Sequence, residues 1–186
     1  MEILHETIIY ILKSIYTILP GVLANAAPML VIKINFLNYP VDMNLKIKGK
    51  PLFGKNKTYR GLVSGVILSV LLCSIQYLIY RYTRYKNLTI YNFEEVNFLS
   101  YGFFLGLGVL LGDLFKSFFK RRLDINPGES FIPWDQIDCV LGGLVIGRIA
   151  WAYDLKFAVI IIVITFFLHI AIRHFAYYVG IASSKW

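Results

Sequence analysis

The sequence predicts an all-α integral membrane protein with about five transmembrane helices, and three observations carry that prediction. The 186-residue chain is 58% hydrophobic and only 16% charged, with a mean hydropathy of +0.63, which is outside the usual range of soluble domains. Residues 61–80 form an uncharged apolar run of the length that crosses a bilayer. The connections between apolar runs are too short to fold alone, so residues 1–186 are expected to form a single membrane domain.

The predicted spans follow from hydropathy along the chain. The clearest is 61–80, and the others each contain one or more polar or charged residues. The first span resembles a secretory signal at "LANAAP", but Glu2 and Glu6 stand where such a signal is positively charged, so it is interpreted as a span. The five predicted spans are roughly 8–32, 61–80, 97–115, 134–153 and 157–179.

The basic residues predict the orientation. Loop 33–60 carries seven lysines and arginines, loop 116–133 carries four, and Lys185 lies near the C-terminus. Short cytoplasmic loops are enriched in these residues, so both loops are predicted to be cytoplasmic, with the N-terminus outside and the C-terminus inside. The protein is therefore expected in the cell membrane as a multi-pass protein.

Two further patterns have plain structural interpretations. The run "RYTRYK" at 81–86 alternates bases with aromatic residues, but beside a span it is typical of an interfacial anchor, and no nucleic acid is expected as a partner. Glycines four residues apart favour close packing between transmembrane helices. These pairs are Gly102 and Gly106, Gly108 and Gly112, and Gly143 and Gly147.

A polar stripe continues the third span. Asp113, Lys116, Ser117 and Lys120 follow the i, i+3, i+4, i+7 rule and therefore share one helical face, while phenylalanines occupy the other sides. Such a stripe should face protein or water and not hydrocarbon.

A second acidic pair begins the fourth span. Asp135 and Asp138 are three residues apart and lie on one helical face. Acidic groups at membrane depth are costly unless they are paired or bind a cation, which makes them functional candidates. For Asp135 alone, capping of a helix that begins after Pro133 is the alternative interpretation.

The three carboxylates and the surrounding bases are complementary. Mg²⁺ prefers a few carboxylates together with phosphate oxygens and water, and basic side chains neutralise the remaining phosphate charge. We therefore interpret Asp113, Asp135 and Asp138 as candidate metal ligands and catalytic acids, with Lys116 beside them. The pattern predicts a divalent cation bound together with a polyphosphate.

The segment "GKPLFGKNKTYRG" at 49–61 supplies further phosphate ligands. Its glycines permit close backbone approach, and the segment is not a Walker A motif because Asn56 follows Lys55. A juxtamembrane patch that attracts anionic lipid is the alternative interpretation. The candidate donors to phosphate here are Lys55, Lys57, Thr58 and Arg60.

Several of these motifs, in this order, resemble the archaeal CDP-archaeol synthases, the counterparts of bacterial CDP-diacylglycerol synthase. The resemblance covers nearly the whole chain and extends to a pattern from His169 to Trp186. The chain departs from it at Lys48 to Pro51 and at Arg173. The motifs are "NAAP" (25–28), "PVD" (40–42), "FGKNKTYRG" (53–61), "GDLFKSFFKRR" (112–122), "PG" (127–128) and "PWDQIDCVLGG" (133–143).

The resemblance implies a Mg²⁺-dependent cytidylyltransferase with a cytoplasmic active site. It would transfer the cytidylyl group of CTP to the isoprenoid ether-linked lipid 2,3-di-O-geranylgeranylglycerol 1-phosphate, forming unsaturated CDP-archaeol and pyrophosphate. By motif position, Asp113, Asp135 and Asp138 would be the metal or catalytic acids. The implied phosphate binders are Lys57, Arg60, Lys116, Lys120 and Arg121, and Ser117 joins the substrate-binding candidates through the stripe.

Two rival functions remain open at this point. A small ion-coupled transporter or channel would place Asp113, Asp138, Arg148 and Arg173 along a translocation path. A non-catalytic membrane anchor would bind acidic lipid through the basic loops and would not need the aspartates. The sequence leaves the formation of a homodimer open.

Overall fold

The computed structural model describes residues 2–180 and confirms an all-helical chain, so Lys185 and Trp186 lie outside the described residues. A two-stranded antiparallel hairpin lies between the first two helices, with Lys46 opposite Pro51. The elements are α1 (Glu2–Leu30), β1 (Lys46–Ile47), β2 (Lys50–Pro51), α2 (Tyr59–Tyr82), α3 (Phe98–Arg122), α4 (Trp134–Gly147) and α5 (Leu155–Tyr178).

Four of the helices within residues 2–180, namely α1, α2, α3 and α5, are long and apolar enough to cross a membrane. The fourth helix, α4, has 14 residues, which corresponds to about 21 Å, against the ~30 Å of a bilayer core. It ends at Gly147 and not at the predicted residue 153. Residues 148–150 form a turn, and Trp151 folds back against Phe157, with their ring centroids 4.9 Å apart.

The third helix is longer than predicted. The sequence places a cytoplasmic loop over 116–133, but α3 continues as helix to Arg122, so the loop begins at residue 123. Asn97 caps the start of the helix, because its side-chain oxygen accepts hydrogen bonds from the amides of Leu99 and Ser100. The extra turns keep Lys116, Ser117 and Lys120 on the face that carries Asp113.

Glycines bring α3 into backbone contact with its neighbours, as their spacing predicts. A Cβ at Gly106 would lie 2.6 Å from Ser69 Cβ on α2, and one at Gly112 would overlap the carbonyl oxygen of Asp138 on α4. Only glycine permits this approach. The main chains of α3 and α4 therefore touch directly where the polar stripe begins.

One end of the helix bundle, which we call the aromatic end, is closed by packed rings. Loop 83–97 folds back into it, and the amide of Ile90 donates to Thr17 Oγ1 on α1 at 2.9 Å. Interlocking edge-on ring contacts fill the space between the helices. The aromatic end comprises Tyr91, Phe93, Tyr101, Trp151 and Phe157.

Candidate active site

The opposite end of the bundle, which we call the charged end, gathers the ion pairs of α3 and α4. Asp113 and Lys116 are one turn apart on α3, and Asp135 and Asp138 lie in the first turns of α4. The contact of Gly112 with the main chain at Asp138 brings the two acidic segments together. The charged end comprises Lys57, Asp113, Lys116, Lys120, Asp135 and Asp138.

Lys116 lies at the centre of the charged end. Its Nζ is 2.7 Å from Asp138 Oδ2 and 3.2 Å from an oxygen of each of Asp113 and Asp135. The lysine side chain is only 15% exposed and that of Asp138 only 5%. One ammonium group thus contacts all three of the carboxylates that the sequence singles out.

Two further lysines complete the network. Lys57, from the loop before α2, pairs with Asp113 Oδ2. Lys120 Nζ lies 3.2 Å from both oxygens of Asp135 and also donates to the carbonyl oxygen of Glu129. In the described chain, three ammonium groups therefore face three carboxylates, and the network is balanced in formal charge.

Asp135 is placed differently from the other two acids. Its Oδ2 accepts a hydrogen bond from the amide of Phe131 at 2.6 Å, just before α4, and its carboxylate holds Lys120. In residues 2–180, the ligand atoms that lie within 4.8 Å of one another belong to Asp113, Asp138 and Cys139. Asp135 thus anchors the α3–α4 loop and the lysines.

A polar cavity of about 760 Å³ lies beside the network. Hairpin β1–β2, the segment 53–57, the end of α3 and the loop 124–128 form its walls. Six of the predicted substrate-binding or catalytic residues line it, namely Lys55, Lys57, Lys116, Ser117, Lys120 and Arg121. The volume and the excess of bases suit a nucleoside triphosphate.

Two predicted phosphate ligands have other contacts. Thr58 caps α2, because its side-chain oxygen accepts from the amide of Gly61 at 3.2 Å. Arg60 donates through Nη1 to the carbonyl oxygen of Ile34. These contacts hold the loop before α2, and the structure does not bring either side chain into the walls of the large cavity.

Asp42 is a site residue that reasoning from side-chain patterns missed. It is 3% exposed, and its Oδ2 accepts hydrogen bonds of 3.0 Å from the amides of Phe53 and Gly54. Burial raises the pKa of Asp42, but these amide hydrogen bonds outweigh it and hold the pKa below its ordinary value. The carboxylate thereby shapes the lysine-bearing segment 53–57, and "PVD" in the sequence was the only signal.

An apolar groove runs between α3 and α4 on the other side of Lys116. Its volume is about 650 Å³, and its walls carry Phe115, Phe119, Trp134 and Val145. Lys116 and Asp138 also line it, so the groove opens onto the network. The groove can hold hydrocarbon chains while a polar group attached to them reaches the ion pairs.

A smaller polar cavity of about 220 Å³ lies between the α3–α4 loop and α5. His169 and Arg173 line it together with Lys116, Lys120 and Gln136. Lys116 therefore borders the large polar cavity, the apolar groove and this smaller cavity. His169 and Arg173 thus line the same cavity as two lysines of the network, Lys116 and Lys120.

The residues fit a divalent cation. Asp113 and Asp138 supply hard carboxylate oxygens, whereas the soft Cys139 sulfur does not suit Mg²⁺. The buried Asp138 Oδ2 has Lys116 as its ion-pair partner but accepts no hydrogen bond of standard geometry from residues 2–180. It therefore retains lone pairs that can coordinate a cation.

Comparison with known proteins gives one consistent result. Residues 7–186 match the family model described as "CarS-like: CDP-archaeol synthase". The CDP-archaeol synthase of Methanocaldococcus jannaschii is 33% identical over 93% of this chain and 96% of its own length. That of Thermococcus onnurineus is 34% identical over 95% and 97%, respectively.

A solved structure also resembles this chain. It is described as an intramembrane enzyme for archaeal membrane lipid biosynthesis, and it superposes with a TM-score of 0.69 at 29% sequence identity. The likeness covers 87% of this chain and 92% of the other. The helical architecture is therefore shared over nearly the whole molecule.

Proposed function

The chain belongs to the CDP-archaeol synthase family of membrane nucleotidyltransferases, and from that premise we propose its substrates, metal and site. The family name gives cytidylyl transfer in archaeal lipid synthesis. We propose that the acceptor is 2,3-di-O-geranylgeranylglycerol 1-phosphate and that Mg²⁺-dependent transfer from CTP yields unsaturated CDP-archaeol and pyrophosphate. The observation that carries this proposal is a charged network that lies between a large basic cavity and an apolar groove.

The basic cavity is the proposed site of CTP. Lys55, Lys57, Lys120 and Arg121 line it, and their charges complement a triphosphate. Asp42 fixes the segment that carries two of these lysines. A soluble nucleotide can enter here without crossing hydrocarbon, since loops and the end of α3 form the walls.

The apolar groove is the proposed site of the lipid chains. Each methylene that leaves the bilayer costs about 0.8 kcal/mol, so the lipid should remain among apolar groups while its phosphate reacts. The groove between α3 and α4 meets this need, because Phe115 and Val145 on its walls are each 67% exposed at the helix surface. Lys116 at its inner end would receive the phosphate.

The reaction forms one bond and breaks one bond. An oxygen of the lipid phosphate attacks the α-phosphorus of CTP, and the bond between the α-phosphorus and the oxygen bridging to the β-phosphate breaks. The lipid phosphate is already an anion near neutral pH, so no general base is needed. The main barrier is repulsion between two anions, which Lys57, Lys116 and Lys120 relieve by pairing with phosphate oxygens.

Asp113 and Asp138 would hold Mg²⁺, with Asp135 anchoring the lysines beside them. When bound, the metal supplies charge neutralisation and polarisation of the phosphates. By holding the metal, Asp113 and Asp138 would also fix the position of the triphosphate bound to it. The leaving pyrophosphate departs along the bases of the large cavity, Lys120 and Arg121 among them.

The aromatic end argues against a transporter or channel. Tyr91, Phe93 and Tyr101 are each less than 10% exposed and pack with Trp151 across the bundle. In the described chain, these rings fill the space between the helices at the end opposite Asp113 and Asp138, which does not suit a translocation path through those acids. A simple anchor, in turn, has no use for three carboxylates that are buried or partly buried and share one lysine.

We also propose that the charged end faces the cytoplasm. The loop before α2 carries six lysines, and the last turn of α3 at the same end carries Lys120, Arg121 and Arg122, as is typical of a cytoplasmic face. CTP is available on that side of the membrane.

The test is a direct assay of the purified protein in lipid nanodiscs. We expect equimolar CDP-lipid and pyrophosphate only when Mg²⁺, CTP and the geranylgeranyl lipid phosphate are all present, with ATP, GTP and UTP giving little product. Arg84→Ala, at a base in the connection at the aromatic end, is the matched control and should react like the natural protein. Product that forms without the lipid phosphate, or equally from every nucleotide, would refute the proposal.

A further inference from the structure

Lys116 is positioned as more than a phosphate ligand. Its ammonium lies 2.7 Å from Asp138 and 3.2 Å from Asp113, the two acids whose oxygens would hold a metal. An ammonium so placed already neutralises these carboxylates. A divalent cation that bound to Asp113 and Asp138 would therefore lie beside the positive charge of Lys116.

The formal charges of the network also oppose the binding of a bare cation. With Lys57, Lys116 and Lys120 opposite three aspartates, the network is neutral before any ligand binds. A bare divalent cation would leave two excess positive charges at a site where Lys116 is 15% exposed and Asp138 only 5%. A cation that binds together with a triphosphate brings phosphate groups, and the lysines can pair with these in place of the carboxylates.

We propose that Lys116 is a resident counter-ion that occupies the carboxylates until the metal and the nucleotide enter together. The ammonium then leaves the acids and points to the phosphates, where it can also receive the acceptor from the apolar groove. This inference rests on the proposed function and adds an order to it: metal and nucleotide bind first, and the lipid phosphate binds productively afterwards.

The surroundings of Lys116 favour such an exchange. The side chain borders the large polar cavity, the apolar groove and the smaller polar cavity, so it has space on three sides into which the ammonium can swing. Lys120, one turn further along α3, contacts Asp135 but pairs with neither Asp113 nor Asp138 in the described chain. Lys57 pairs with Asp113 but not with Asp138, so in the described chain Lys116 is the lysine that contacts both metal-binding acids.

The first experiment uses the natural protein and Mn²⁺ in place of Mg²⁺. Free Mn²⁺ is measured by electron paramagnetic resonance as the protein is titrated, with and without a CTP analogue whose α,β-bridge is a methylene group. We expect the protein to bind Mn²⁺ at least about tenfold more tightly with the analogue than independent binding of the two would give. Independent binding of metal and analogue would overturn the inference.

The second experiment changes the lysine. Lys116→Met should bind Mn²⁺ about tenfold or more tightly without nucleotide, because a like charge has been removed from a partly buried site. Lys116→Arg keeps the charge and should bind as weakly as the natural protein, and Lys86→Met, which removes an exposed charge in loop 83–97 at the aromatic end, should change this affinity by less than about twofold. Equal nucleotide-free affinity in Lys116→Met and the natural protein would contradict the inference.

Failure of the inference and failure of the proposed function give different results. Both experiments measure metal binding and require no turnover, so they remain informative if another lipid or nucleotide is the true substrate. If the assay gives CDP-lipid but Mn²⁺ binds tightly without nucleotide, the function stands and the counter-ion role falls. If Lys116→Met is not folded, the titration of the natural protein still decides.

Discussion

The two ends of the bundle are built from the same helices but by opposite means. At the aromatic end, neutral rings such as Tyr91, Tyr101 and Phe157 fill the space and leave little room for a ligand. At the charged end, Lys116 and its carboxylates border three cavities. Stability and chemistry are therefore separated along α3 and α4. Packed rings at the aromatic end stabilise the bundle, so the charged end can keep partly buried charges and open cavities.

The sharpest test of this separation is removal of a metal-binding acid. We expect Asp113→Asn and Asp138→Asn each to lower kcat by about a thousandfold or more, because each removes a carboxylate that would hold the metal beside the reacting phosphates. Thermal stability should change little, since Lys116 keeps two other carboxylates in each variant. Initial rates and melting curves in the same nanodiscs check both statements.

Glu95→Gln is the matched control for these variants. Glu95 is exposed in loop 83–97 at the aromatic end and does not line the large cavity. Its kcat should therefore match that of the natural protein. Near-normal rates in both Asp113→Asn and Asp138→Asn would show that the charged end is not the reaction centre.

The complementary test removes a ring from the aromatic end. Phe157 is 1% exposed and contacts Trp151 and Tyr153, so Phe157→Ala should lower the free energy of unfolding by about 3 kcal/mol. The rate per folded molecule should remain within about twofold of normal. Denaturant unfolding together with active-site titration separates the two quantities, and a large loss of rate in folded protein would break the comparison.

A substitution on the α3–α4 contact should affect both properties. In Gly112→Ala the new methyl group would overlap the main-chain carbonyl of Asp138 and push α4 away. We expect kcat to fall about tenfold through displacement of Asp138, with a measurable loss of stability. Gly147→Ala is the control, because its methyl group would meet its nearest atoms at 3.9 Å, and normal kinetics are expected there.

The smallest effect is expected at Asp42. Its pKa lies below the ordinary value, so its hydrogen bonds hold segment 53–57 at neutral pH and are lost as the pH falls through the lowered pKa. Asp42→Asn should raise amide exchange at Phe53 and Gly54 about tenfold, which corresponds to a hydrogen bond to a charged group. Hydrogen-exchange mass spectrometry checks this, and the KM for CTP should rise only a few fold.

Hydropathy predicted the helices well because the bilayer imposes their length. The predicted span 61–80 lies within α2, Tyr59–Tyr82. The end of α4 was not predictable, because the apolar run continues past Gly147, while the tertiary contact of Trp151 with Tyr91 turns the chain there. The helical extension of α3 to Arg122 likewise depends on neighbours, since Arg122 donates to the main chain of Lys50 and Pro51.

The sequence predicted those parts of the site that follow from helical spacing. It did not predict those that depend on hydrogen bonds from main-chain amides. The shared face of Asp113, Lys116 and Lys120 follows from 3.6 residues per turn. The distinct position of Asp135 depends on the amide of Phe131, and the role of Asp42 depends on the amides of Phe53 and Gly54. Every residue except proline carries a backbone N–H, so no pattern of side chains could have indicated these partners.

The most direct measurement is a structure with Mn²⁺ and the methylene analogue of CTP bound. We expect anomalous scattering from a metal about 2.1 Å from carboxylate oxygens of Asp113 and Asp138, with the triphosphate in the basic cavity and the Lys116 ammonium on phosphate. A metal bound elsewhere, or a triphosphate held away from these two carboxylates, would contradict it.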